Sequence, residues 1–325
     1  MAETKQSGNR SVVFQLLEQH CARTGYRLHV GDSHGHAGLV ESPDGRRWFF
    51  KGTHFDLNTL GASEIADDKA YAAHFLEESG IAVPASRLVF SSELGNRNHP
   101  PANVLDFAET GGFPLFVKPN VGQEGADVIR VGTYPGLTQT LHMLAKRHAQ
   151  LLVQEEIRGR ELRVIVLDGE VLCAVERHPP HVTGDGKLTL AELIAAQDRV
   201  DPSDGRIECE LARQTMSLES VPEPGTRVRL LPVANLSSGG SASIVIAEDL
   251  APETASIASR AARTLGLRYA GVDLILPDIA SPGVDAVVLE VNAAPGLGNL
   301  YRQGLAEAEL VKGIYQKVFA AMFAE

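Results

Sequence analysis

Apolar residues along this chain recur with two periods, and the periods divide it into helices and strands. Over Ile65 to Ser79, the residues Ile65, Ala72, Ala73 and Leu76 share one helical face. Asp67 and Asp68 would stand in the first turn, where the helix dipole favours negative charge. Gly80 and then Pro84 would stop that helix. Glu253 to Leu265 carries a stripe of Ile257, Ala258, Ala261, Ala262 and Leu265, ended by Gly266. Leu310, Ile314 and Val318 mark a C-terminal helix, and Ser11 to His20 a short one.

The alternating segments predict strands at Tyr26 to Val30, Arg47 to Lys51, Gly271 to Leu276 and Ala286 to Asn292. ELRVIVL and EVLCAV flank Asp168-Gly169, a two-residue hairpin signal. FPLFVKP and DVIRV flank NVGQEGA, a flap-like pair of strands around a glycine-containing loop. Residues 91–113 are loop-rich at both ends, and 198–226 form a polar excursion expected to hold one helix. Helices and strands alternate, yet several strand neighbours are hairpins. The pattern therefore predicts an α+β or mixed α/β fold, not a doubly wound parallel sheet.

Composition narrows the function. At 325 residues with 44% hydrophobic positions, the chain can bury cores for two or three lobes. Its formal charge of -11 argues against nucleic acid as the main partner, since phosphate backbones attract an excess of Lys and Arg. No apolar run approaches the ~18 residues that span a bilayer, so no membrane partner is expected. The polar start MAETKQSGNR has no signal-peptide core. Cys21, Cys173 and Cys209 neither pair off nor show zinc spacing, and Cys173 in a strand reads as a buried, inert thiol. The expectation is a soluble, reduced, cytoplasmic protein.

Several clusters carry candidate chemistry. Glu290 and Asn292 are two apart on a strand and share a face. Asp273 joins them if the two C-terminal strands pair antiparallel. Two carboxylates and an amide are the hard oxygen ligands that Mg²⁺ on a phosphate prefers. A half-buried sheet with three solvated polar residues has the same pattern. Lys118 ends an apolar strand before Gly122 and Gly125, where an ammonium and an approachable backbone suit a polyphosphate. A plain hairpin uses the same glycines. Gln154-Glu155-Glu156-Ile157 and Glu161 can face ribose hydroxyls and an adenine edge, or form a solvated acidic turn. Asn235-Leu236-Ser237-Ser238-Gly239-Gly240 can offer N–H donors to an anion, or simply connect. His34-Gly35-His36 reads as a surface loop near Asp32, and Trp48, Phe49 and Phe50 as core.

The order of these pieces resembles the ATP-grasp carboxylate–amine ligases. The series runs Asp68-Lys69, FPLFVKP with its loop, QEEIRGRE, NLSSGG, GVDLIL and LEVNAAPG. The phrases ERHPPHVTGDGKLTLAELI and ANLSSGGSASIVI are similar to the ATP-grasp region of cyanophycin synthetase and bifunctional glutathione synthetase. LEVNAAPGL also resembles the ribosomal-protein glutamate ligases. The resemblance implies two α+β lobes grasping ATP, with a short N-terminal segment over 1–64, a first lobe with a phosphate flap over 65–153, and a C-terminal lobe with the metal site over 154–325. It implies that Lys69, Lys118, Gly122 and Gly125 meet the phosphates, with 120–126 as the flap loop. Glu155, Glu156 and Ile157 would meet adenine, Glu161 the ribose, and Asn235 would also face the nucleotide. Asp273, Glu290 and Asn292 would hold one or two Mg²⁺ ions, or Mn²⁺. Arg163 and Arg177 would line the reacting centre, with Arg177 on the transferred phosphoryl group. The implied activity is amide or peptide bond formation through an acyl phosphate, joining small-molecule carboxylates and amines such as amino acids or short peptides. Addition of amino acids to a protein tail, and ATP binding without ligation, are the alternatives. Many relatives are homodimers or homotetramers. One departure is local: ligases of the D-alanine type carry Arg where this chain has Gly271.

Overall fold

The computed structural model describes residues 10–95, 99–122, 125–246, 249–277, 279 and 285–324. Gln123 and Glu124 of the expected flap loop lie outside the described residues, as do Met1 to Asn9 and most of the loop after Leu276.

The chain opens with α1 (Val12–Thr24), capped at its start by the Ser11 hydroxyl, which accepts from the Phe14 N–H at 3.2 Å. A four-stranded antiparallel sheet follows in sequence order: β1 (Arg27–Val30), β2 (Ala37–Glu41), β3 (Arg47–Lys51) and β4 (His54–Phe55). Phe50 on β3 is buried, whereas Phe49 is 61% exposed, because neighbouring strand residues face opposite sides. Only part of the expected aromatic core at 48–50 is therefore core. Asp32 accepts from the N–H groups of His34, His36 and Ala37, which makes the His34-Gly35-His36 segment a turn.

The helix expected over 65–79 is two helices, α2 (Leu60–Asp67) and α3 (Lys69–Glu78). Asp68 separates them: it is extended, and its side chain accepts from the Tyr71 N–H at 3.0 Å. A short carboxylate competes well for the free N–H groups of a helix start, so it breaks one helix and caps the next. Residues 86–155 build a second antiparallel sheet with strand order β5-β8-β6-β7. Its elements are β5 (Ser86–Phe90), α4 (Ser91–Leu94), α5 (Ala102–Gly111), β6 (Leu115–Pro119), β7 (Ile129–Val131), α6 (Tyr134–Ala145) and β8 (Gln150–Glu155). Leu137, Leu141 and Leu144 of α6 close its core.

Next come β9 (Arg160–Leu167) and β10 (Glu170–His178), joined as expected through Asp168 and Gly169, both at positive φ. A small excursion holds β11 (His181–Thr183), α7 (Leu190–Ala195), α8 (Arg206–Arg213) and β12 (Arg227–Arg229) around a core of its own. The chain then runs through β13 (Ser241–Val245), α9 (Pro252–Thr264), β14 (Tyr269–Leu276), β15 (Val287–Asn292), α10 (Gly298–Tyr301) and α11 (Leu305–Phe323). Together β13-β10-β9-β14-β15 form a five-stranded, fully antiparallel sheet.

The two faces of that sheet differ. Leu162, Val164, Val166, Ala270, Val272 and Leu274 face a wholly apolar layer that includes Ala72 and Leu76 of α3 and Ala258, Ala261 and Ala262 of α9. The opposite face begins apolar, with Ile165, Leu167 and Tyr269 packed against α1 and α11. The same strands then change character, and Glu161, Arg163 and Asp273 continue that face as charge. No helix among the described residues is long and apolar enough to cross a membrane.

Candidate active site

The charged half of the sheet is assembled by register. On one face Val175 pairs with Arg163, Arg163 with Asp273, and Asp273 with Glu290, while Arg177 pairs with Glu161 and Gly271 with Asn292. Strands four to five ångströms apart thus bring residues from four segments into one patch. Arg163 grips Asp273 through two bonds, Nε to Oδ1 at 2.5 Å and Nη2 to Oδ2 at 2.6 Å. Arg177 Nη1 donates to Glu161 Oε1 at 3.1 Å and to Asp273 Oδ2 at 3.2 Å. Asp273 is 2% exposed, so these pairs stand in a poorly solvated setting.

Lysines approach this patch from two other elements. Lys69 is the first residue of α3, and Asn120, at the end of β6, caps that helix: its backbone carbonyl accepts from the Lys69 N–H at 3.3 Å and its side-chain oxygen from the Ala70 N–H at 3.0 Å. A cation at a helix N-terminus is disfavoured by the dipole. Its ammonium instead reaches over to the Gly122 carbonyl at 2.9 Å and to Glu290 at 3.8 Å. Lys118, 9% exposed, donates to Gln154 Oε1 at 2.8 Å. Burial pushes its ammonium down to about 8, against the pull of Glu290. Burial would raise the Glu290 carboxyl, but Lys69, Arg163 and Lys118 outweigh it and bring it down to about 2. Burial raises the Glu161 carboxyl, opposed by Arg177.

A cleft of about 620 Å³ opens over the patch, between the five-stranded sheet and the β5-β8-β6-β7 sheet. Lys69, Lys118, Gly122, Gly125, Ile157 and Asn235 line it, together with Glu155, Glu156, Glu161, Arg177, Asp273 and Glu290. Arg163 and Asn292 stand behind that wall, on Asp273 and Glu290 respectively. Seven Lys and Arg side chains (Lys69, Lys118, Arg130, Arg158, Arg160, Arg177, Arg229) and six carboxylates (Glu155, Glu156, Glu161, Glu176, Asp273, Glu290) line the cleft, so its charges nearly balance within a chain of formal charge -11.

Some side chains are engaged otherwise than expected. Glu155 Oε1 accepts from the Ala85 N–H at 2.7 Å, and Glu156 forms a two-bond ion pair with Arg130. The N–H groups of Ser238, Gly239 and Gly240 turn back onto the carbonyls of Asn235 and Leu236, so the NLSSGG turn spends those donors internally. Arg130 and Arg229 are among the cleft residues that the sequence did not single out. Arg130, a charge between Ile129 and Val131 in a short strand, was the detectable signal. Gly271 is explained by packing: a Cβ there would lie 2.9 Å from the Pro295 Cβ. An arginine at that position is sterically excluded, and Arg163 and Arg177 supply positive charge from β9 and β10 instead.

The donor set suits a hard divalent cation. Asn292 spends its N–H on Glu290 Oε1 at 3.3 Å and Gly271 O at 3.4 Å, which leaves its amide oxygen available. Glu290 is ionised, and its cationic partners are distant, at 3.7 and 3.8 Å. Asp273 is the member already engaged. No cluster of three His, Cys, Asp or Glu side chains suited to a metal occurs among the described residues. The set is therefore two carboxylates and an amide, with coordination positions left for oxygens of a ligand. Arg177 Nε is buried without a hydrogen-bond partner, a donor left for an incoming oxygen.

Residues 66–185 and 233–312 match the family described as RimK-like ATP-grasp domain. The chain belongs to that family. It is 33% identical over 252 residues to a cyanophycin synthetase of Geminocystis herdmanii, covering 72% of this chain and 28% of that protein. It is 34% identical over 258 residues to a glutathione biosynthesis bifunctional protein of Enterococcus faecalis, covering 72% of this chain and 32% of that one. The ATP-grasp chain thus spans about a third or less of these relatives. Its fold is similar to a bifunctional glutathione synthetase from Pasteurella multocida, with a TM-score of 0.59 at 18% identity over 95% of this chain and 44% of the other. It is also similar to a D-alanine–D-alanine ligase from Bacillus anthracis, with a TM-score of 0.53 at 18% identity over 82% of this chain and 68% of that one. The α+β, antiparallel architecture expected from the hairpin pattern is the ATP-grasp architecture.

Proposed function

We propose that this chain is an ATP-dependent carboxylate–amine ligase that joins amino acids or short peptides through an acyl phosphate. The observation that carries the reading is the sheet register that sets Asp273, Glu290 and Asn292 side by side beneath Lys69 and Lys118. Asp273, Glu290 and Asn292 would hold Mg²⁺ or Mn²⁺. Such a cation supplies Lewis-acid neutralisation of phosphoryl oxygens.

The protein's own groups do the rest. Lys69 and Lys118 offset phosphate charge, and Gly122 and Gly125 let the loop backbone come close. Ile157 gives an apolar surface to the base, while Glu161 faces the ribose. Glu155 and Glu156 act through Ala85 and Arg130, shaping the wall at the nucleotide, and Asn235 packs the loop from the opposite side. The substrate carboxylate oxygen attacks the γ-phosphorus, the bond to the bridging oxygen breaks, and ADP leaves. Arg177, with its free Nε–H, stabilises the equatorial oxygens of that transfer, while Arg163 fixes the Asp273 carboxylate from behind and adds positive charge there. The amine nitrogen then attacks the acyl carbon, phosphate departs and takes the proton, and the amide is complete. A cleft closed to water protects the acyl phosphate.

The test is phosphate release from Mg-ATP across amino acids and short peptides, singly and in pairs, with mass spectrometry of the product. Release that needs a particular pair, with an amide product, supports the reading. Tight Mg-ATP binding with no release on any pair, and none on protein acceptors, refutes it.

A further inference from the structure

The family match skips residues 186–232, and this stretch forms most of the small lobe with its own core. Leu190, Ile194, Ile207, Leu211, Val228 and Leu230 are all buried there. The lobe is not isolated. Its helix α8 begins with Arg206 and ends with Arg213, and both side chains leave the lobe to bond backbone carbonyls of the β6–β7 unit. Arg206 Nη1 donates to the Gly125 carbonyl at 2.8 Å, and Arg213 Nη2 to the Arg130 carbonyl at 2.7 Å.

Each guanidinium is itself fixed. Arg206 is held by Asp204, with contacts of 2.6 to 3.1 Å. Arg213 pairs at 2.9 Å with Glu210, a carboxylate that is 0% exposed and that also holds Arg229 at 2.6 Å. Such pre-set donors lose little freedom when they bind a carbonyl. On the other side of the loop, Gly125 sits at φ +69 with the space of its missing Cβ only 2.4 Å from Asn235 Oδ1. The loop is therefore gripped from two directions at the point where it borders the cleft.

We propose that the 186–232 lobe is a brace for the nucleotide hairpin, with Arg206 and Arg213 as positioning residues that hold Gly125 and β7 over the cleft. The inference rests on the nucleotide reading of that cleft. It explains why two arginines at opposite ends of one helix point out of their own lobe. Because Arg130 holds Glu156 at the cleft wall, displacement of β7 would also disturb that wall.

The test uses the full chain with both arginines replaced, R206A/R213A, and a companion R206K/R213K that keeps a donor at each place. Hydrogen exchange over 125–131 is measured without nucleotide, and Mg-ATP binding by calorimetry. The brace predicts exchange in that hairpin that quickens more than in the five-stranded sheet, and about tenfold weaker Mg-ATP binding with a smaller change in kcat, with partial recovery in the lysine variant. Unchanged exchange at 125–131 overturns the brace. Faster exchange with unchanged Mg-ATP affinity overturns the positioning role. If R206A/R213A loses its fold, R206M, which removes the Gly125 contact and leaves the buried Glu210 with both of its arginines, decides by the same two readouts. Failure of the wild-type chain to bind Mg-ATP would instead refute the proposed function, while the exchange measurement still reads the brace.

Discussion

Lys118 converts the geometry of the cleft into a pH dependence. Its ammonium is buried against Gln154, and burial lowers it from an ordinary 10.5 to about 8. The empty site then holds a charged lysine in about nine-tenths of molecules at pH 7 and about one-tenth at pH 9. A phosphate needs the charged form, so the apparent Kd for Mg-ATP scales inversely with that fraction and rises about tenfold from pH 7 to 9. Linkage gives the matching sign for stability. The unfolded chain binds more protons between about 8 and 10.5, so the folded state gains stability as pH rises through that window, and the cost of the buried charge is fully present below it. The drop from 10.5 to about 8 corresponds to about 3 kcal/mol. Lys118→Met removes that cost and also a charged hydrogen bond worth about 1.5–3 kcal/mol, so its stability barely discriminates. Nucleotide affinity does. Calorimetric titration with Mg-ATP from pH 6.5 to 9.5 should show the alkaline loss in wild type, and weaker, flat binding in Lys118→Met. A wild-type affinity constant across that range, or the same alkaline loss in the variant, would refute the reasoning.

Other perturbations test separate parts of the site. Glu290→Gln removes one ligand charge from a half-buried edge of the patch, and should abolish Mg²⁺-dependent turnover while leaving the circular dichroism spectrum unchanged; near-full activity would sink the metal assignment. Arg163→Met leaves the buried Asp273 carboxylate with Arg177 as its one remaining guanidinium, and should cost about 3–5 kcal/mol in urea unfolding; a loss under about 1 kcal/mol would show the pair to be expendable. Gly125→Ala places a methyl 2.4 Å from Asn235 Oδ1 at φ +69, whereas at Gly122 the nearest atom is the Pro119 Cβ at 3.6 Å. The first substitution should therefore weaken Mg-ATP binding by about 1 kcal/mol or more, and the second by less; equal effects would contradict the two-sided grip on the loop.

Much of this architecture was legible in the residues. The Asp168-Gly169 turn fixed a hairpin, and period-two alternation put Glu290 and Asn292 on one face, because these signals are local and set by backbone sterics. The break at Asp68 was not foreseen, because an aspartate in a first turn and an aspartate ending one helix and capping another look alike in sequence. The exposed Phe49 and the inward-turned donors of 238–240 escaped for a similar reason: which face is covered, and where an N–H points, depend on what packs alongside.

By itself, then, the sequence determined many of the strands, the Asp168-Gly169 hairpin turn, the ordered motifs and the identity of the candidate ligands, but not strands such as β2, β5 and β13. Tertiary structure alone decided their partners. Arg163 and Asp273 lie 110 residues apart, and only the β9–β14 register makes them a pair. Pro295 against Gly271, Gln154 against Lys118, and two arginines of an inserted lobe against the β6–β7 unit are likewise contacts between distant segments. Local propensity reaches a few residues along the chain, whereas charge pairing and steric exclusion act across whatever the fold brings together.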